Sequence, residues 1–348
     1  MNKLLSSKTF GAAFVAGAML LSGCAKMHYN AGNRYYNNLA YDAAAKRFEK
    51  AVAANPDMPE AKRKLADSYR EMRNTVAAEK WYTEVVNQPD ATAADRYNAA
   101  RAMMANGNYT DARVQLKQYL DQVPADQGAQ KLYASLDSIG AWKADSAAYV
   151  IETPNLNSEA SMNPNYFKDG LVFASDRGGS KEKHEWSGRP FQDIYFAKET
   201  SPGSFDKAMK MGKEINTRYH DATPVVTTDG KTMFFTRTNM KKKNAKRGDG
   251  GLVVLKLMQA TRMDTGWTDI TELPFNSDNY STGQPAVSAD GNTLYFVSDM
   301  PGGQGGTDIY MSRREGSGWG APQNLGSAVN TPFDEMFPTI NQGDLYFS

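Results

Sequence analysis

Residues 284–299 read QPAVSADGNTLYFVSD, which is a proline-led segment, an Asp-Gly pair and then an apolar run. Asp-Gly between two extended segments is a strong signal for a β-hairpin, because the turn needs positive φ at its centre. Proline at the start of the first strand is tolerated where no ladder donor is required. The stretch therefore predicts two antiparallel strands joined by a turn at Asp290-Gly291.

The same pattern recurs through the second half of the chain. An Asn followed by Ser or Thr comes first, then a proline, then an Asp-Gly or Gln-Gly turn and an apolar strand. The asparagines are Asn157, Asn216, Asn276 and Asn330, at intervals of 59, 60 and 54 residues. The prolines are Pro164, Pro224, Pro285 and Pro338, and the turns are Asp169-Gly170, Asp229-Gly230, Asp290-Gly291 and Gln342-Gly343. A unit of about 60 residues suits four strands, so the repeat predicts three sheet units and the first hairpin of a fourth.

This repeat resembles the WD40-like propeller motif (PD40) found in TolB and in OmpA-family lipoproteins. The resemblance covers nearly 200 residues and implies an all-β domain over residues 149–348, an incomplete WD40-like or TolB-like β-propeller. Propellers close with about four to eight blades, so we expect the sequence to be truncated before the propeller closes. An open propeller would expose unpaired strand edges.

A second repeat, of 34 residues, precedes the sheet units. Ala44, Ala78 and Ala112 recur at this interval, and each is followed four residues later by a bulky side chain, Phe48, Tyr82 and Leu116. Prolines that can end a helix follow at Pro56, Pro89 and Pro124. The pattern resembles the tetratricopeptide repeat (TPR), which implies a TPR α-solenoid over residues 24–148, with three repeats and a capping helix at 127–148.

The TPR resemblance also implies a partner-binding groove lined by the first helix of each repeat. Arg and Tyr are enriched in protein-recognition hot spots, so we expect the groove to bind a partner peptide or helix. The groove positions are Tyr29, Asn33, Tyr36, Arg63, Asp67, Arg70, Tyr97, Arg101 and Met104.

The N-terminal residues have the order of an export signal. Lys3 and Lys8 precede an apolar run over residues 10–21, which is too short to span a bilayer. The run ends in Leu21-Ser22-Gly23-Cys24, which resembles the bacterial lipobox, and Cys24 is the single cysteine of the chain. We expect a lipoprotein signal peptide at 1–23 and lipidation of Cys24. Resemblance to lipoprotein sorting implies a lipid-anchored, periplasm-facing protein of the outer membrane.

Composition argues against several other classes of function. Forty Lys and Arg against 39 Asp and Glu give no basic excess for nucleic-acid binding. One cysteine and three dispersed histidines predict no metal site, and we expect no cofactor. The sequence offers no nucleophile paired with a base, so we expect no enzyme. The alternatives are the N-terminal part of a propeller hydrolase or peptidase, and a glycan-binding module that uses Trp186, Trp267 and Trp319. Gly266-Trp267 and Gly318-Trp319 also fit core positions of an outer strand.

Two further features are candidate sites. A basic loop is either a solvated hairpin tip or a contact for lipid headgroups, glycan phosphates or an acidic partner. Its members are Lys241, Lys242, Lys243, Lys246 and Arg247. Ser138 and Ser146 lie in Asp-Ser-Ile and Asp-Ser-Ala triplets that resemble the O-glycosylation motif of Bacteroidota.

The whole order of lipobox, TPR and WD40-like repeats resembles the N-terminal part of OmpA-family envelope lipoproteins of Bacteroidota, including the PorE-like component of type IX secretion. The resemblance implies a non-catalytic scaffold for protein-protein interactions with envelope proteins. It also implies that peptidoglycan would be bound by a C-terminal OmpA-like domain missing from these residues.

Overall fold

The computed structural model describes residues 8–148, 154–156, 160–178, 182–242, 244–264 and 266–348. The chain forms two compact units, one helical and one built of antiparallel sheets. The helical unit comprises Met1–Val150 and His184–Arg189, and the sheet unit comprises Ile151–Lys183 and Pro190–Ser348. This confirms the predicted fold class, a TPR solenoid followed by propeller blades.

The helical unit contains eight α-helices within its described residues. They are α1 (Lys8–Asn37), α2 (Tyr41–Ala54), α3 (Pro59–Glu71), α4 (Thr75–Val86), α5 (Ala93–Ala105), α6 (Tyr109–Gln122), α7 (Gln127–Ser135) and α8 (Ile139–Ala144), and a 3-10 turn follows at Asp145–Ala148. None of the helices in the described ranges has the length and apolar character needed to cross a bilayer.

Small and large side chains alternate between paired helices, as the 34-residue repeat predicts. Phe48, Tyr82 and Leu116 are fully buried. On the facing helix a Cβ added to Gly32 would lie only 2.5 Å from Cε1 of Phe48, so the ring fits because glycine stands opposite it. Close packing of this kind fixes the helix pairs, because a protein interior tolerates neither overlap nor voids.

The expected capping helix is broken into two short helices and a 3-10 turn. Helix α7 ends at Ser135, and α8 begins at Ile139 after a turn that contains Asp137 and Ser138. Asp and Ser bond readily to nearby backbone groups and so favour helix ends over helix interiors. Arg113 also pairs with Asp137 at 2.6 Å, which holds the turn against α6.

The sheet unit contains eighteen strands in its described ranges. They are β1 (Ser161–Phe167), β2 (Gly170–Ser175), β3 (Asp193–Ser201), β4 (Ser204–Phe205), β5 (Met209–Lys210), β6 (Asp221–Val226), β7 (Thr232–Thr238), β8 (Met240–Lys241), β9 (Asn244–Ala245), β10 (Leu255–Met263), β11 (Gly266–Glu272), β12 (Thr282–Val287), β13 (Thr293–Ser298), β14 (Asp308–Glu315), β15 (Gly318–Trp319), β16 (Gln323–Asn324), β17 (Thr339–Asn341) and β18 (Asp344–Tyr346).

These strands form three blades and two small hairpins. Blade 1 has the order β1-β2-β3-β4 with β5 beside β3, blade 2 has β6-β7-β10-β11, and blade 3 has β12-β13-β14-β15 with β16 beside β14. Strands β17 and β18 form the predicted further hairpin, and β8 and β9 form a hairpin inserted in blade 2. Apolar cores lie between adjacent blades: Phe235 and Ile194 share one core, and Phe234 and Phe296 share the next.

The recurring prolines mark a β-bulge in the first strand of each blade. The residue before each proline has positive φ, and the strand pairing shifts at that point in all three blades. The backbone N–H of the residue before the proline also reaches the neighbouring unit: Gln284 N donates to Thr236 Oγ1 at 2.8 Å, and Phe337 N donates to Gln284 Oε1 at 2.7 Å. The proline motif therefore connects consecutive blades.

The recurring asparagines fasten the third strand of the preceding blade. Oδ1 of Asn216 accepts from Ile194 N at 2.7 Å, and its Nδ2 donates to Ile194 O at 2.9 Å. Asn276 and Asn330 bond in the same way to both backbone groups of Leu257 and Ile309. Each asparagine thus belongs to the end of one blade. The sequence analysis placed it at the start of the next repeat unit, and that boundary is wrong. Asn157 lies outside the described residues.

Candidate functional site

The predicted groove residues of α1 lie against the core of the first repeat. The rings of Tyr29 and Tyr36 pack against Phe48, with centroids 5.8 and 6.5 Å away, and Lys64 Nζ lies 4.0 Å from the Tyr36 centroid. Burial, reinforced by the charges of Asp67 and Glu71, raises the pKa of Tyr36 to about 12. Tyr36 is therefore a neutral hydrogen-bonding group at physiological pH.

A second group of groove residues joins α3 to α4. The hydroxyl of Tyr82 donates to Asp67 Oδ1 at 2.6 Å and accepts from Arg70 Nε at 3.2 Å. Burial and the neighbouring Asp67 carboxylate raise the pKa of Tyr82 far above its usual range. Asp67 and Arg70 are thus committed to contacts inside the repeat.

Arg63 connects the first helices of two successive repeats. Its Nε lies 2.9 Å from both carboxylate oxygens of Asp95, and its Nη2 reaches Asp90 Oδ2 at 3.3 Å. Asp95 is only 4% exposed and also accepts from Thr92 in the capping box of α5. Arg63 is therefore an inter-repeat clamp, because its removal would leave a buried carboxylate short of a partner.

The groove residues of α5 remain more accessible. Tyr97 packs against Tyr119 with the rings tilted by 39° and their centroids 5.0 Å apart, and the Arg101 guanidinium lies 5.8 Å from the Tyr97 centroid. Arg101 is exposed and makes no ion pair within the described ranges, and Asn33 on α1 has no side-chain hydrogen bond there. Met104 packs against the core of the later repeats.

Several groups that shape this face escape the repeat pattern. Lys64, Glu71 and Asp95 are neighbours of predicted positions, yet only the packed structure shows which of them meet. Nothing in the repeat pattern marks Glu71 as a groove residue, apart from its place beside Arg70. A carboxylate in the first turn of α5, three residues after Thr92, is the sequence signal that could have identified Asp95 as a cap.

The three tryptophans proposed for glycan contact are packed. Trp186 belongs to the helical unit, where Nε1 donates to Glu71 O at 2.7 Å and its ring meets Tyr41 edge-on at 4.8 Å. Trp267 is buried in the core between blades 1 and 2, and Trp319 Nε1 donates to Gln259 Oε1 at 3.1 Å. Both Gly-Trp pairs are therefore core positions of outer strands, as their sequence also suggested, and they do not form the exposed aromatic surface that the glycan-binding alternative requires.

The predicted basic loop is a short hairpin with two of its cations engaged. Lys246 pairs with Asp278, and Arg247 Nη1 donates to Gly251 O at 2.6 Å. Lys241 and Lys242 are exposed, and Lys243 lies outside the described residues. Lys246 and Arg247 are therefore held by contacts within the sheet unit, and Lys241 and Lys242 remain accessible to solvent.

The residues predicted to be modified lie on the helical unit. Cys24 is exposed on α1, next to Ala25, which is 1% exposed. Ser138 is half-buried in the turn between α7 and α8, and Ser146 is exposed in the 3-10 turn, where Oγ donates to Lys143 O at 2.6 Å. The segment 1–7 of the expected signal peptide lies outside the described residues.

The TPR assignment is supported by a family model. The model described as "Tetratricopeptide repeat" matches residues 29–95. No significant match is found among curated proteins. Because tetratricopeptide repeats present surfaces for other proteins, the helical unit is a protein-interaction module.

Several solved structures are similar to part of the chain. The first TPR of Spaghetti (RPAP3), bound to an HSP90 peptide, shares 20% identity and a TM-score of 0.31, over 34% of this chain and 95% of that chain. A puromycin-hydrolyzing peptidase of Mycobacterium tuberculosis shares 14% identity and a TM-score of 0.31, over 49% and 24%. Zg3597, a family 117 glycoside hydrolase of Zobellia galactanivorans, shares 10% identity and a TM-score of 0.34, over 57% and 71%.

Proposed function

We propose that the chain is a non-catalytic scaffold of the cell envelope, anchored to the outer membrane by a lipid on Cys24 and binding envelope proteins through the TPR groove. The observation that carries the groove proposal is Arg101, an exposed cation beside Tyr97 that makes no ion pair in the described part of the chain. Arg63 and Arg70, by contrast, are held by internal contacts. A partner with a carboxylate and an apolar side chain fits this pair.

The position of Cys24 supports anchoring close to the membrane. Ala25 already belongs to the core of the first repeat, so a lipid on Cys24 would be attached directly to the folded helical unit. The acyl chains of a bacterial lipoprotein would make detachment negligible, since burial is worth about 0.8 kcal/mol per methylene. The groove would then face partners at the inner surface of the outer membrane.

The finer assignments rest on the sequence resemblance to OmpA-family lipoproteins with PD40 repeats. We propose a place in type IX secretion or in linkage of the outer membrane to peptidoglycan. The regular blades, connected at the bulges and each closed by an asparagine, support a role in which the sheet unit presents loops to partner proteins. Peptidoglycan contact would require a further domain.

The groove proposal predicts a selective effect of Arg101→Ala. We expect about a tenfold loss of partner affinity, because the substitution removes the charge-assisted contact to the carboxylate of the partner. The measurement is quantitative co-isolation of partners from detergent-solubilised envelopes, at two salt concentrations. The weakening should be smaller at high salt, since screening already reduces the charge contribution.

Lys117→Ala is the matched control, because Lys117 is an exposed cation on α6 whose ion pair with Asp121 is solvent-exposed. Both variants should melt at the wild-type temperature. Arg63→Ala is unsuitable as a probe, since loss of its pair with Asp95 would destabilise the stack itself. Equal partner recovery with Arg101→Ala and wild type would contradict the groove proposal.

A further inference from the structure

Blade 2 contains a small, partly open cavity beside the inserted β8–β9 hairpin. Its volume is about 140 Å³, and its lining residues come from the end of β7, the hairpin, β10 and β11. This volume exceeds the share of one water molecule, about 30 Å³, and admits a tetrahedral oxyanion. The residues lining this cavity, the β7 cavity, are Arg237, Thr238, Asn239, Met240, Lys242, Lys256, Met258 and Glu272.

Two residues that line the cavity each have a buried side-chain oxygen with no partner in the described ranges. Asn239 is 2% exposed, and its Nδ2 donates to Asp278 Oδ1 at 2.9 Å while its Oδ1 accepts nothing. Thr238 is 6% exposed, and its Oγ1 also has no partner there. A buried polar atom without a hydrogen bond costs about 1–3 kcal/mol, so this wall favours a molecule that donates a hydrogen bond to Asn239.

The wall also carries an excess of positive charge. Arg237 pairs with Asp221 at 2.6 Å, and Lys256 lies 2.8 Å from Glu272 and 3.1 Å from Asp278. Asp278 also receives Lys246, and these hydrogen bonds hold the pKa of Asp278 far below its usual range. Glu272, the one carboxylate among the lining residues, is therefore paired with Lys256.

Lys242 supplies the unbalanced charge at the cavity edge. It is exposed and makes no ion pair with any described residue. Its backbone has φ of +61°, a conformation that residues other than glycine seldom adopt. One free ammonium group therefore lies on the same cavity as an unpartnered amide oxygen.

We propose that the β7 cavity binds a phosphate group that keeps a proton. The anionic oxygens would pair with Lys242, the P–OH group would donate to Asn239 Oδ1, and Thr238 Oγ1 would complete the set. Sulfate has the same shape but no proton at neutral pH, so it cannot make the bond to Asn239. A site built to accept a hydrogen bond from its ligand binds an analogue without that donor much more weakly. The site is independent of the TPR groove.

The phosphate could be free in solution or part of a phosphomonoester lipid headgroup. Both sources present the same group to Lys242 and Asn239. Phosphodiester lipids have no P–OH group, so they should not bind at this cavity.

Calorimetric titration of the full chain with inorganic phosphate and with sulfate, at equal ionic strength, tests the proposal. We expect phosphate to bind with at least about tenfold higher affinity than sulfate. Lys242→Gln and Thr238→Val should each weaken phosphate binding, the former by about tenfold because it removes a charge-assisted contact. Lys241→Gln is the matched control and should have no effect, because Lys241 is an exposed lysine outside the cavity wall.

Vesicles distinguish the two sources. Selective binding to phosphatidic acid over phosphatidylglycerol, lost in Lys242→Gln, would support the site with a lipid headgroup as ligand, and binding of free phosphate alone would support it with a soluble ligand. Equal affinity for phosphate and sulfate, absence of phosphate binding by a folded chain, or an equal loss in Lys241→Gln would overturn the proposal.

Discussion

Replacing Asn216 with leucine should lower the melting temperature of the sheet unit by about 10 °C. Leucine has a similar size but cannot bond to Ile194 N, Ile194 O or Met211 O, which lie 2.7, 2.9 and 3.0 Å from the Asn216 amide. Leaving buried backbone groups without partners costs about 1–3 kcal/mol each, so we expect a total near 3–5 kcal/mol. For a domain of this size each kcal/mol shifts the melting temperature by about 2–4 °C.

Asn292→Leu is the matched control for this measurement. Asn292 is exposed in the turn between β12 and β13, where Nδ2 donates to Asp290 Oδ2 at 3.2 Å. Surface changes of this kind usually stay within about 0.5 kcal/mol. Differential scanning calorimetry measures the melting temperature of both variants and of the wild type. If the two substitutions lower the melting temperature equally, the asparagine repeat does not hold the third strands in place.

Cys24→Ser should release the protein from the membrane almost completely. The acyl chains of a lipoprotein need the sulfur, and a serine hydroxyl does not replace it. At about 0.8 kcal/mol per buried methylene, loss of the acyl chains removes the whole anchoring energy. The measurement is separation of membrane and soluble periplasmic fractions, with the intact mass of the chain determined in each.

Met27→Ala is the control for Cys24→Ser, because Met27 is an exposed residue of the same helix three positions further along. It should stay in the membrane fraction and carry the lipid mass. A Cys24→Ser protein that remains with the membranes, or a wild-type chain without added mass, would refute lipid anchoring.

Much of the fold can be predicted from the intervals at which residues recur in the sequence. The 34-residue interval between alanines predicts which residues face each other, because a large ring fits only opposite a small side chain, as Phe48 does opposite Gly32. The Gln-Gly and most Asp-Gly turns were predicted with their positive φ, at Gly230, Gly291 and Gly343. In the first hairpin the positive φ falls on Lys168 instead, and Gly170 begins the next strand.

Other features depend on tertiary contacts that a linear pattern does not contain. Arg63 and Asp95 are 32 residues apart, and only the stacking of repeats brings them to 2.9 Å. Trp186 lies among the sheet repeats in sequence yet packs in the helical unit against Tyr41. The recurrence of the asparagines could be read from the sequence. Their role could not, because it depends on Ile194 of β3 lying beside Asn216 in the fold.

The sequence pattern also could not show which groove residues are available to a partner, because this too depends on tertiary contacts. A repeat pattern selects positions that face the concave surface, but it cannot separate side chains that bind each other from those that remain available. Arg70 is bound to Tyr82, whereas Arg101 makes no ion pair or side-chain hydrogen bond in the described part of the chain and lies 5.8 Å from the Tyr97 ring centroid. The available set is therefore smaller than the predicted one and centres on α5.

Site-specific photo-cross-linking in living cells tests the groove most directly. A photoreactive phenylalanine analogue at position 101 should yield discrete adducts with one or a few envelope proteins. The same analogue at position 117, on α6, should not yield them. Identical adducts from both positions, or none from position 101 in a chain that is folded and exported, would contradict the account of this protein as a scaffold that acts through its TPR groove.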